Sequence, residues 1–197
     1  MKSLKGTKTA ENLLKAFAGE SQARSRYTFF AEIAEKEGFI QIMNIFNETA
    51  ANEREHAKRF YNLLVKGLGD ELPTAVEITA GYPVASGNTL ENLKAAAAGE
   101  NEEWSELYPS FAEVAKEEGF TDAAVAFTNI AKVEKRHEDR YKKLADNITN
   151  NKVFVKENAV YWKCINCGYI YEGSEAPKVC PSCLFPQSYF ELFAETY

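Results

Sequence analysis

Apolar residues recur over the first 150 positions at the spacing of one helical face, and polar or glycine breaks divide that pattern into four long segments. Leu13, Leu14, Phe17, Ala18, Tyr27, Phe30, Ile33 and Ala34 share such a face. The spacing predicts a helix over residues 9–37. Thr9 is its expected N-cap, Glu11 lies in the first turn where the helix dipole favours an anion, and Gly38 is the terminating glycine. Ile42, Ile45, Phe46, Phe60, Leu63 and Leu64 predict a second helix over 40–66 that stops at Gly67, and the short turn makes the two antiparallel neighbours. Residues 67–88 carry Gly67, Gly69, Pro73, Gly81, Pro83 and Gly87 and read as a crossover loop. A third helix, capped by Thr89 and stopped by Gly119, is predicted over 89–118, and a fourth over 121–148. Asn150 and Asn151 open a polar linker, 150–158; beyond it Tyr161, Trp162, Tyr169, Ile170, Tyr171 and Phe190 predict short strands with aromatic packing.

The helix pairs repeat one another. Thr9, Glu11, Asn12, Leu13, Gly19 and Glu20 match Thr89, Glu91, Asn92, Leu93, Gly99 and Glu100 at an offset of 80. From Tyr27 to Arg59 the match continues through Tyr108 to Arg140, but at an offset of 81. Two similar hairpins joined by a long connection predict a mainly α chain, a four-helix bundle with one crossover. Glu20 to Tyr27 is seven residues and Glu100 to Tyr108 is eight. The third helix therefore has one residue to absorb, and Pro109 just beyond gives up an N–H. This predicts a π-type turn between Glu100 and Phe111 and none between Glu20 and Phe30. Such a bulge is expected to aim Glu103 towards any bound metal.

Both histidines stand in Glu-x-x-His, as Glu53 with His56 and Glu134 with His137, so each pair shares a helix face. Glu20 and Glu100 each follow a glycine in a stretch of small or apolar residues, where a charge facing the core must be paired or metal-bound. Two lone glutamates plus two Glu-x-x-His is the pattern of ferritin-like di-iron and di-manganese bundles. Glu103 lies on the face of Glu100 and has only Ala23 as its counterpart, giving the second hairpin an extra carboxylate. Five carboxylates and two imidazoles suit a pair of iron or manganese ions. Tyr27 and Tyr108 are each expected to hydrogen-bond a ligand carboxylate, against the alternative of core tyrosines satisfied elsewhere. Glu32, Glu35, Glu37, Glu113, Glu117 and Glu118 are expected to be solvated surface.

All four cysteines lie near the end, as Cys164-x-x-Cys167 and Cys180-x-x-Cys183, twelve residues apart. Four thiolates so spaced make a tetrahedral site for iron or zinc. A tail of this size cannot build a sufficient core alone, so the metal is expected to hold it folded. Lys plus Arg is 23 against 29 Asp plus Glu, a net charge of −6, which argues against a nucleic-acid partner. No apolar run reaches the length of a membrane span, and the opening Met1-Lys-Ser-Leu-Lys-Gly lacks an apolar leader, so the cytoplasm is the expected location.

Ala18-Gly19-Glu20-Ser21-Gln22-Ala23-Arg24, Glu53-x-x-His56, Gly99-Glu100-x-x-Glu103, Glu134-x-x-His137, Cys164-x-x-Cys167-Gly-Tyr and Cys180-Pro-x-Cys183, in this order, resemble the rubrerythrin family along essentially the whole chain. The resemblance implies a ferritin-like di-iron bundle over 1–150 and a small β-rich rubredoxin-like domain over 159–197. It implies two irons in a carboxylate/histidine-bridged site held by Glu20, Glu53, His56, Glu100, Glu103, Glu134 and His137. One further iron is implied on Cys164, Cys167, Cys180 and Cys183. The implied activity is a non-haem peroxidase that reduces hydrogen peroxide to water in oxidative stress defence. Its electrons would come from an NAD(P)H-linked reductase or a rubredoxin and pass through the four-cysteine iron one at a time. Within the family His56 and Glu103 compete for one iron as its oxidation state changes. A ferritin-type iron store would need no electron-input tail, and a structural zinc ribbon beside a bundle would be colourless. The short linker leads us to expect a head-to-tail homodimer, or a higher oligomer, in which one chain's tail serves the other's bundle. Leu184 follows the last cysteine where rubredoxins usually carry glycine.

Overall fold

The computed structural model describes residues 2–196. Helix α1 spans Lys8–Lys36 and α2 Ile40–Leu68. The third rod consists of α3 (Thr89–Glu102), a π-helical segment (Glu103–Leu107) and α4 (Tyr108–Glu117), and α5 (Thr121–Thr149) completes the bundle. The π turn thus falls where the change of repeat offset places it. The Tyr108 N–H donates to Glu103 O, five residues back, while α1 runs unbroken through the matching stretch.

Helix ends differ from expectation in three places. The cap of α1 is Thr7, which accepts from the Ala10 N–H, and the cap of α3 is Asn88, in a reciprocal capping box with Glu91. Thr9 and Thr89 are instead buried inside the first turns. Gly67 does not stop α2, because Leu4 packs where a Cβ on that glycine would stand and the Leu4 N–H donates to Gly67 O at 2.9 Å. The chain turns two residues later, at Gly69, with φ +50°. Gly38 and Gly119 do end their helices, both at φ +79°, and the following N–H groups return to the last-turn carbonyls.

Glu37 and Glu118 are not idle surface. Glu118 accepts from the N–H groups of Lys8 (3.0 Å) and Thr9 (2.7 Å) and from the Thr9 hydroxyl (2.6 Å). Glu37, its counterpart 81 residues earlier, accepts from the Thr89 N–H at 2.9 Å. The carboxylate ending one hairpin's first helix therefore sits on the first turn of the other's.

The bundle core has two apolar halves. Tyr27, Phe46 and Tyr141 centre one, and Tyr108, Phe127 and Phe60 the other. These trios are related by the internal repeat, and the buried carboxylates Glu20, Glu53, Glu100 and Glu134 lie between them. In the tail, β1 (Val155–Cys164) is the centre of an antiparallel sheet of order β2-β1-β3, with β2 at Ile170–Glu175 and β3 at Phe190–Leu192. Trp162, Phe190, Ala176, Cys164 and Cys180 form its small core; Tyr161 and Ile170 lie on the opposite, outer face of the pleat, and Tyr171, paired with Trp162, is part-exposed at the edge of the inner one. The tail rests on the α1–α2 turn, where Phe154 stacks on Phe39 (6.4 Å, 4° between planes).

Candidate metal centres

Four helices each bring ligand-type side chains to the middle of the bundle. Glu20, Glu53, His56 and Glu134 place one donor atom apiece within 4.8 Å of one another, and so do Glu53, Glu100, Glu134 and His137. Glu53 and Glu134 belong to both groups. His56 Nδ1 lies 2.8 Å from Glu53 Oε2 and 2.9 Å from Glu134 Oε1. His137 Nδ1 lies 2.8 Å from Glu134 Oε2 and 3.1 Å from Glu53 Oε1. The Glu-x-x-His spacing creates this arrangement, since i and i+3 project from one helix face and the two helices oppose each other. The result is two equivalent sets of donors that share two carboxylates.

Each remaining glutamate is steadied from the other hairpin. The Tyr27 hydroxyl donates to Glu100 Oε1 at 2.6 Å, and the Tyr108 hydroxyl donates to Glu20 Oε1. The second oxygens, Glu20 Oε2 and Glu100 Oε2, have no hydrogen-bond partner, nor do Glu53 Oε1, either Glu134 oxygen or His137 Nδ1. Six buried donor atoms without partners, converging on one place, are costly unless a cation receives them. The donor set, hard carboxylates with imidazole, suits iron or manganese.

The electrostatics describe the same crowding. Burial, then the charges of Glu134, Glu103 and Glu53, push the Glu20 carboxyl well above the ordinary range. Burial raises Glu100 to about 8. Burial would also raise Glu53, but the two imidazoles beside it outweigh that and hold it at about 2. Burial alone would lower the imidazoles; the carboxylates beside them instead lift His56 to about 10 and His137 to about 12. Ions binding among these groups would have to displace whatever protons the groups carry.

Glu103 stands apart from this grouping. Its carboxylate lies outside both sets of four donors, with Oε1 3.8 Å from the position a Cβ on Gly19 would take. The π turn brings it to the wall of a cleft of about 400 Å³ bounded by Gly19, Gln22, Arg26, Tyr82 and Gly99. Burial raises its pKa, and so do the neighbouring Glu100, Glu134 and Glu53. Arg26 is buried there with Nε and Nη1 unpartnered. Neither Arg26 nor the tyrosines' crossed pairing is visible in the spacing of motifs, which shows equivalence between hairpins but not contact.

The tail holds a second centre. Sγ atoms of Cys164, Cys167, Cys180 and Cys183 all lie within 4.8 Å of one another. Two turns of one design present them. The Gly168 N–H donates to Cys164 O (2.8 Å) and the Leu184 N–H to Cys180 O (2.9 Å), with φ +78° and +62°. Leu184 therefore keeps the turn that glycine makes in the first knuckle. Burial pushes the Cys164 thiol up to about 12, whereas the Asn166 side chain holds the half-buried Cys183 sulfur down at about 6.

Residues 11–145 match the Rubrerythrin family, and residues 162–191 match its rubredoxin-like domain. The chain is 64% identical over its full length to rubrerythrin-1 of Clostridium acetobutylicum and 63% identical to rubrerythrin of Clostridium perfringens, covering all of both. A partially reduced nigerythrin shares the fold with a TM-score of 0.63 at 31% identity, over 98% of this chain and 92% of that one. No helix among the described residues is long and apolar enough to cross a membrane. With a carboxylate–histidine site for two irons in its bundle and a four-cysteine site for a rubredoxin-like iron in its tail, the chain belongs to the rubrerythrin family.

Proposed function

We propose that this chain reduces hydrogen peroxide to water at the bundle cluster, with electrons arriving singly through the four-cysteine centre. The observation that carries the reading is the presence in one chain of two donor sets sharing Glu53 and Glu134 together with a separate four-sulfur site. Reducing peroxide to two waters takes two electrons and two protons, which matches two metal positions held side by side. Irons bound there would supply those electrons and the Lewis acidity that O–O cleavage needs. Glu53 and Glu134, common to both donor sets, would be shared between the two ions, and His56 and His137 would serve one each. Glu20 and Glu100, each with one oxygen held by Tyr108 or Tyr27, would complete the two ends. The cleft beside Glu103 offers a small polar substrate a way in from solvent, and solvent there can supply the protons.

The test is a visible and Mössbauer spectrum of anaerobically purified, chemically reduced protein before and after one equivalent of peroxide. Both irons of the bundle should be oxidised, with water as the product. An unchanged di-iron signature, or oxidation by dioxygen with iron accumulating as mineral, would overturn the reading. The electrons' immediate source, a reductase linked to NAD(P)H or a rubredoxin, belongs to the same proposal, and oxidation of reduced rubredoxin by the mixture is its check.

A further inference from the structure

A buried carboxylate that the proposed reaction does not use grips the π segment from outside. Glu138 on α5 is only 1% exposed. Asn101 Nδ2 donates to its Oε1 at 3.0 Å and the Trp104 indole N–H to its Oε2 at 2.8 Å. The ammonium groups of Lys142 and Lys135 lie 2.5 and 3.3 Å from the same carboxylate, and Lys135 also stands 5.3 Å from the centre of the Trp104 ring. Asn101 precedes the π segment and Trp104 lies within it, so the two bonds bracket Glu102 and Glu103.

The internal repeat supplies the control. The counterpart of Glu138, 81 residues earlier, is Ala57; that of Asn101 is Ser21, and that of Trp104 is Ala23 or Arg24 depending on the offset. The first hairpin thus has no acceptor at this place, and α1 continues as regular helix. A π turn is rare because its bonding geometry is poorer than that of the α-helix, so something local must hold it. We propose that Glu138 is a positioning residue that clamps the π segment to α5 and so sets where Glu103 stands at the cleft wall. What Glu103 does for the metals rests on the peroxidase reading; the clamp itself does not.

The experiment compares full-length, iron-loaded wild type, Glu138→Gln and Trp104→Phe by amide hydrogen exchange and Mössbauer spectroscopy. Trp104→Phe keeps an aromatic ring and removes only the indole donor, so it stands in should Glu138→Gln fold poorly. Amides of residues 103–108 should exchange roughly tenfold faster or more, the usual effect of losing a hydrogen bond to a charged group, with residues 20–27 unchanged. The di-iron signature should shift as it does in Glu103→Gln, and Glu138→Gln should add nothing in a Glu103→Gln background. Wild-type exchange over 103–108 in both variants overturns the clamp. Faster exchange with a wild-type signature, or effects that add to those of Glu103→Gln, overturns the aiming of Glu103. A wild type that consumes no peroxide yet shows the expected exchange pattern sinks the proposed function and supports the clamp.

Discussion

At the residue scale, the functional side chains divide into those set by local spacing and those held by contacts across the bundle. Glu-x-x-His and Cys-x-x-Cys put donors on one face or one turn whatever the rest of the chain does. Glu138 was not legible, because its partners come from a different helix and no motif links them. The crossed tyrosines give a sharp test at this scale. Tyr27→Phe removes the hydroxyl that orients Glu100, not the one that orients Glu20 of its own helix. Ferrous titration of metal-depleted protein should show the Glu100–His137 position weakened by roughly tenfold or more, with the Glu20–His56 position near wild type. Equal weakening of both would contradict the pairing. Leu184 offers a second test. It is 77% exposed and holds φ +62°, a conformation that disfavours a branched side chain by about 1–2 kcal/mol. Glycine there also frees the unfolded chain, which offsets about 0.5–1 kcal/mol. Leu184→Gly should therefore slow iron loss to a chelator by a factor of roughly two to five, while Gly168→Ala should speed it. Faster loss from Leu184→Gly would show that the leucine's contacts outweigh its strain.

At the element scale, the π segment was readable as a one-residue change of offset between two copies of one pattern. A single-copy sequence would have hidden it. Two N-caps differ from expectation, by two residues in α1 and one in α3, for a related reason. Thr9 and Thr89 look like caps because they are threonines before apolar runs, yet both are needed inside, and Thr9 presents its N–H and hydroxyl to Glu118. A carboxylate from the opposite hairpin, on the positive end of a helix, is invisible to any local rule. Glu118→Ala should lower stability by about 1–2 kcal/mol, the scale of losing a cap and a favourable dipole contact. For a chain of this length that is roughly 2–8 °C in thermal midpoint. Glu37→Ala should be milder, since Glu37 makes one such bond and α3 already has its own capping box. Thermal unfolding of the two variants side by side decides; a larger effect from Glu37→Ala would reverse the assignment.

At the scale of the molecule, the position of the tail bears on the route of electrons. The tail meets the bundle at Phe39, 17 residues before His56 on the same rod. At 1.5 Å per residue that is about 25 Å of helix, a long step for an electron within one chain. The head-to-tail pair that the short linker leads us to expect would shorten that step if each tail served the other chain's bundle. Mixing Cys183→Ser and Glu134→Gln chains, each inactive alone, should restore peroxide turnover in the heterodimer. A confirmed heterodimer without activity would rule this route out.

The reciprocity of the two hairpins reaches further than catalysis. Each contributes one Glu-x-x-His and one lone glutamate, and each lends the other a tyrosine and a helix-capping carboxylate. Neither half owns a finished metal position. The chain is in effect a symmetric pair folded onto itself, with residues 69–88 as the tether between the halves. Severed in that tether, the halves would still hold every donor atom between them, and the metal ions would become the rivets joining two separate polypeptides.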